Sequence, residues 1–228
     1  MSLQAKQWIT PVAIAAGLVL VLVLSNRDVK SPEELELIDS QDKYSQALMT
    51  AHEMTKPIFD KTDEGDEPTE QEKDTLYKSA KIIDNANRLL PDRTIPFLGA
   101  GKAYMLAGDL ETAELRFRQA IHNAAFDKTP GSRETAFEAH YRLSQVRFKL
   151  RDYEGAFEEA DKAVKGEPNG PEYLLARASA LIQLKKYDEA DRDIHAAVKL
   201  EPSNQEAIGL HALLALEDPK KFGKGAKH

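Results

Sequence analysis

The chain has no cysteine. This excludes disulfides, a thiolate nucleophile, a cysteine-ligated zinc site and a lipid-bearing N-terminal cysteine, and it fits an oxidising or a reducing compartment equally. An excess of basic charge is also missing, since 31 Lys and Arg stand against 38 Asp and Glu, a net charge of -7. Binding to nucleic acid draws its affinity from neutralising phosphates, so nucleic acid is not expected as a partner. The six histidines are scattered without ligand spacing, and His52-Glu53 lacks the second histidine of a zinc-protease helix. Gly99-Ala100-Gly101-Lys102 falls short of a phosphate loop, because Pro96 stands where the first glycine belongs and Ala103 where a hydroxyl is needed. Asp60, Asp63, Glu64, Asp66, Glu67, Glu70 and Glu72 form an acidic cluster without the alternating ligands of a calcium loop, which reads as a solvated loop. No catalytic residue, metal site or cofactor is expected, and the chain is not expected to be an enzyme.

What the chain does have is one long uncharged run. Residues 8–24, WITPVAIAAGLVLVLVL, would reach roughly 26 Å as a helix against a hydrocarbon core of about 30 Å. Pro11 falls in its first turn and Trp8 at its interfacial end, as in a membrane helix. A core helix would show a polar stripe, and this run shows none. A cleaved signal peptide is the other reading, with Val23-Leu24-Ser25 as a weak cleavage site. The expectation is a single-pass membrane protein touching the bilayer through 8–24, after a short flank at 1–7. Lys6 on one side and Arg27 and Lys30 on the other nearly balance, and the repeat domain is placed on the exported, periplasmic side with the cytoplasmic side as the alternative.

After a polar stretch at 25–40, read as a linker, the dominant signal is repetition. Tyr153-Glu154-Gly155-Ala156 recurs as Tyr187-Asp188-Glu189-Ala190, and Leu150, Ala163 and Pro168 recur as Leu184, Ala197 and Pro202, all at a spacing of 34. Ala113 lies 43 before Ala156, one period plus nine residues inserted around AAFDKTPGSRET. Each unit reads as two antiparallel helices. Small residues fall where the helices must approach closely: Gly101, Ala113 and Ala120, then Ser144, Ala156 and Ala163, then Ala178, Ala190 and Ala197. Larger residues such as Tyr104, Phe117, Tyr153, Tyr187 and Ile194 would fill the space between hairpins.

This pattern resembles the tetratricopeptide repeat family, and the layout is similar to that of its membrane-anchored bacterial members. The resemblance implies an all-α fold, a right-handed superhelical stack of helix-turn-helix repeats behind one N-terminal transmembrane helix. The domain would cover 41–217: a divergent unit at 41–93, with helices at 42–59 and 70–90, repeats at about 94–127, 137–170 and 171–204, and a capping helix at 204–217 ahead of a basic tail at 218–228. Stacked helix pairs rotate into a concave groove lined by the first helix of each pair. By register with the family its lining would be Leu98, Lys102 and Met105, then Tyr141, Gln145 and Phe148, then Leu175, Ser179 and Ile182. Relatives that grip a C-terminal carboxylate need basic or amide residues where this chain has Leu98 and Tyr141, so a hydrophobic or amphipathic segment is the expected occupant. The expected function is that of a membrane-anchored interaction scaffold or assembly factor for other proteins of the membrane or envelope. The alternative is a structural accessory subunit of a membrane protein complex.

Overall fold

The computed structural model of the chain describes residues 31–63, 66–219 and 221–222. Among them there are nine helices and no strand: α1 (Pro32–Asp63), α2 (Glu70–Asn87), α3 (Ile95–Ala107), α4 (Leu110–Ala124), α5 (Ser132–Lys149), α6 (Tyr153–Gly166), α7 (Pro171–Gln183), α8 (Tyr187–Leu200) and α9 (Gln205–Glu217). Each helix packs on the next in sequence, and α3 also touches α5, α5 touches α7 and α7 touches α9. The result is an all-α stack of helical hairpins in which α3, α5, α7 and α9 form one continuous layer. The expected transmembrane span at 8–24 lies outside the described residues. Among the described residues no helix is long and apolar enough to cross a membrane.

The first helix corrects the sequence reading. It starts at Pro32, so residues 32–40, taken as linker, form its opening turns. Ser31 and Glu34 explain the start. The Ser31 N–H donates to Glu34 Oε2 (2.7 Å) and the Glu34 N–H donates to Ser31 Oγ (3.2 Å), with a proline in the first turn. These turns are exposed and carry no apolar period, so only the cap marks them as helical. The acidic cluster resolves similarly into ion pairs on helix ends: Asp60 with Lys56, Glu72 with Lys61 and Glu70 with Lys73. Thr69 and Glu72 form a capping box that starts α2.

The small residues fall where the 34-residue spacing puts them. Ala113, Ala120, Ala156, Ala163, Ala178, Ala190 and Ala197 are buried, as are Gly101 and Ser144. Gly101 shows why size matters. A Cβ there would lie 2.5 Å from the ring of Phe117, which is itself fully buried, so α3 and α4 meet backbone to ring. The apparent phosphate loop is therefore the middle of a packed helix.

The turn inside each unit recurs too. Gly108, Arg151 and Lys185 hold left-handed backbone at φ 91°, 63° and 61°. Only the first is glycine, and the other two carry a cost of roughly 1–2 kcal/mol for that conformation. Asp109 and Asp152 then cap the second helix by accepting from Thr112 N–H and Gly155 N–H. Lys186 takes that place in the last unit, and its side chain makes no cap.

Candidate functional site

A concave cavity of about 480 Å³ opens on the layer of odd-numbered helices. Its lining is contributed by α1 (Phe59, Thr62), α3 (Lys102, Met105, Leu106), α5 (Arg142, Ser144, Gln145, Phe148, Lys149), α7 (Ala176, Ser179) and α9 (Glu206). No even-numbered helix reaches it. This is the division of labour that a rotating stack of hairpins imposes: the inner helices present a surface, and the outer helices hold them apart.

The nine expected residues fall into three rows, one position per unit. Lys102, Gln145 and Ser179 all line the cavity. Met105 and Phe148 line it as well, whereas Ile182 is buried in the core it shares with Ala207 and Leu214 of α9. Leu98 and Leu175 are buried, at 2% and 0% exposure, and are packing residues. Tyr141, the third of that row, is partly exposed and packs its ring 5.2 Å from that of Tyr173. The row nearest the helix starts is thus turned into the stack.

The groove wall is ordered by polar contacts around Tyr141 and Glu138. Gln145 Nε2 donates to Tyr141 Oη (2.8 Å), and the Arg142 guanidinium lies 4.8 Å from the Tyr141 ring. Burial pushes the Tyr141 phenol up to about 12, so it is neutral and available to hydrogen-bond. Glu138 draws in both cations, with Lys102 Nζ at 3.7 Å and Arg142 Nη2 at 3.4 Å. Lys102 also lies 5.4 Å from the ring of Phe59, which ties the divergent first unit to the second across the groove. The floor is apolar, from Phe59, Met105, Leu106 and Phe148, and the rim is polar.

The sequence reading does not contain Phe59 and Thr62, because an insertion breaks the family pattern in that unit. Nor does it contain Arg142 or Lys149, which flank the expected positions on α5. A different signal was available for the ionic side of the stack. Glu159 and Asp193 sit 34 residues apart, and both are buried carboxylates on even-numbered helices. Glu159 meets His140 Nδ1 at 2.7 Å and Lys162 Nζ at 3.0 Å. Asp193 receives both Nε (2.8 Å) and Nη2 (2.7 Å) of Arg177, whose Nη1 reaches Asp161 (2.8 Å). Two units before Arg177, Arg116 pairs with Asp84, which also accepts from Tyr104 Oη (2.8 Å).

Burial pushes Glu159 up, but the hydrogen bonds and charges of His140 and Lys162 outweigh it and hold the carboxyl at about 2, below its ordinary 4.5. A depressed carboxyl stabilises the fold above its unfolded value and loses that contribution as the pH falls toward its folded value. The Glu159→Gln variant is therefore expected to be less stable than the parent at pH 6, with the gap shrinking between pH 4.5 and 2. Urea midpoints measured across that range check this, and a gap independent of pH would refute it.

Comparison with known proteins bears on the same layer. Residues 171–204, α7 with α8, match the family model described as tetratricopeptide repeat. The chain is also 24% identical over 113 residues to the peptidyl-prolyl cis-trans isomerase FKBP4 of Mus musculus and of Bos taurus, a match that covers 47% of this chain. It spans about a quarter of the length of these curated relatives. Among solved structures, the MamA RS-1 ArsTM double mutant aligns with a TM-score of 0.61 at 16% identity, over 79% of this chain and 85% of that one. MamA 41-end from Desulfovibrio magneticus RS-1 gives 0.59 at 17% identity, over 79% and 86%. The Cut9-Hcn1 assembly of the APC/C gives 0.54 at 16% identity, over 59% and 26%. These likenesses establish a shared fold.

Proposed function

We propose that this protein is a membrane-tethered scaffold or assembly factor whose tetratricopeptide groove holds a segment of another membrane or envelope protein. The observation that carries this reading is the cavity lined from five helices of the inner layer and from none of the outer one. An amphipathic segment suits it. Apolar side chains would cover Phe59, Met105, Leu106 and Phe148, while its polar side would meet Gln145, Ser179 and the cations Arg142 and Lys149. Tethering rests on the uncharged run at 8–24, with the repeat domain on the exported side.

The test is photocrosslinking in native membranes with a photoreactive residue at Phe148. A specific partner should be captured there and at Met105, and not at the exposed Leu115 on α4, outside the groove. The Phe148→Glu change, which puts a charge on the apolar floor, is expected to reduce capture at Met105 by about 10-fold or more. Equal capture at all three positions, or no specific product from a folded chain, would sink the reading.

A further inference from the structure

The helix at the end of the stack is not built like an end. A terminal helix of a repeat array needs a polar outer face. On α9 the arc centred on Ala212 is made of Gln205, Ile208, Gly209, Ala212 and Leu216, all exposed and none charged. The 34-residue period supplies the comparison. α9 lies one period after α7, so Ile208, Gly209, Ala212 and Leu216 hold the register of Leu174, Leu175, Ala178 and Ile182. Those four are buried in one core with Ala190, Ile194 and Ala197 of α8. Leu174 and Ile182 are 5% and 3% exposed, whereas Ile208 and Leu216 are 52% and 76% exposed. A Cβ added at Gly209 would meet nothing within 4 Å. This is the face that a first helix turns to its second helix, and here it stands open.

The usual turn cannot bring a second helix onto it from this chain. In the three units before, that turn passes through left-handed backbone at Gly108, Arg151 and Lys185. One period after Lys185 stands Pro219, whose ring fixes φ near about −65°. The residues that follow turn back instead: Lys221 pairs with Asp188 at the start of α8, and Phe222 packs on the core that α7 and α8 share.

We infer that the outer face of α9 docks a helix of another protein, laid on α9 as α8 is laid on α7. The outer helices already in place define what fits. α4, α6 and α8 each carry two buried alanines seven residues apart, Ala113 and Ala120, Ala156 and Ala163, Ala190 and Ala197. Their first helices carry a small residue at one register, Gly101, Ser144 and Ala178, and Ala212 continues that series. The partner helix therefore presents small residues seven apart among larger apolar ones. Charge adds a second requirement. Arg177 holds Asp193 of α8, and His211 stands one period after Arg177, so a carboxylate on the partner at the place of Asp193 would accept from an imidazole N–H. None of Ile208, Gly209, Ala212 and Leu216 lines the groove, so this surface is additional to it.

The probe is a fluorescent synthetic peptide of residues 187–200, the helix that covers the same face of α7, held helical by a hydrocarbon staple on its polar side. It is titrated with the full chain in mild detergent and followed by anisotropy. The expected result is saturable one-to-one binding, weakened by about 10-fold or more by Ala212→Arg in the chain and as much by Ala190→Arg in the peptide. Phe148→Glu, on the groove floor, should leave it unchanged, which separates this surface from the groove. Circular dichroism checks that the variants fold, and Leu216→Ser, a change at an exposed side chain, gives a second reading in the same direction. No saturable binding, or binding that survives both Ala212→Arg and Leu216→Ser, overturns the inference. So does sedimentation showing a dimer of the chain that Ala212→Arg converts to monomer, because the face would then be covered by a second copy.

Discussion

The Phe117→Ala variant is expected to lose about 3–5 kcal/mol of folding stability, a large share of what a domain of this size has. The ring is fully buried on α4 and lies against the backbone of α3 at Gly101, where even one added carbon would sit 2.5 Å from it. Side chains can slump into a vacated space, but a helix backbone cannot, so the cavity should stay open and the cost should fall in the upper part of the range. The same geometry predicts its own remedy. A methyl group added by Gly101→Ala enters the space that the ring leaves, and alanine in a helix interior is favoured over glycine by roughly 1 kcal/mol. In the parent, Gly101→Ala should therefore destabilise through overlap with the ring. In Phe117→Ala it should stabilise. Guanidinium unfolding of the four proteins of this cycle measures the coupling directly, and simple additivity would show that the ring does not clamp the two helices.

A loss of about 3 kcal/mol is expected from Arg177→Met, by a different mechanism. Arg177 holds Asp193 through two parallel hydrogen bonds and Asp161 through a third, joining α7 to α8 and to the preceding unit through α6. Asp193 is 7% exposed. Methionine fills the space but leaves that carboxylate buried without its partner, and the cost of an orphaned charge exceeds what the intact pair contributes. Asp161 keeps Lys165 at 2.6 Å, so its share of the loss is smaller. Removing both ends with Arg177→Met and Asp193→Leu should return most of the stability. Arg177→Lys should not, because an ammonium cannot match a planar fork that serves two carboxylates. If the double variant is no more stable than Arg177→Met, the loss comes from packing and not from the stranded charge.

These two cases show which parts of the molecule were legible in advance. The Gly101 contact and the buried alanines follow from coincident offsets of 34 and 43, because close helix packing tolerates few residue types and so leaves a regular trace. The groove was legible only by row. A register names the helix face, and whether that face meets solvent depends on what the neighbouring unit covers. Thus Lys102, Gln145 and Ser179 line the cavity, whereas Leu98, Leu175 and Ile182 are packed inside. The ionic links were hidden for another reason. Arg177, Asp193 and Glu159 look like surface residues until their partners arrive from another helix, and only the 34-residue echo of Glu159 in Asp193 hinted otherwise. The start of α1 was obscured because a solvent-exposed turn needs no apolar pattern.

The row formed by Lys102, Gln145 and Ser179 gives the groove a metre. Contacting helices stand about 8–10 Å apart, so these three positions mark near-equal steps across the inner layer. An extended chain advances about 3.3 Å per residue. Laid across the layer, it would advance about three residues per step, and because successive side chains point to opposite sides, neighbouring steps would read opposite faces of the segment. A partner would be recognised by the phase of its sequence as much as by its composition, and shifting that phase by a single residue would misalign all three steps at once.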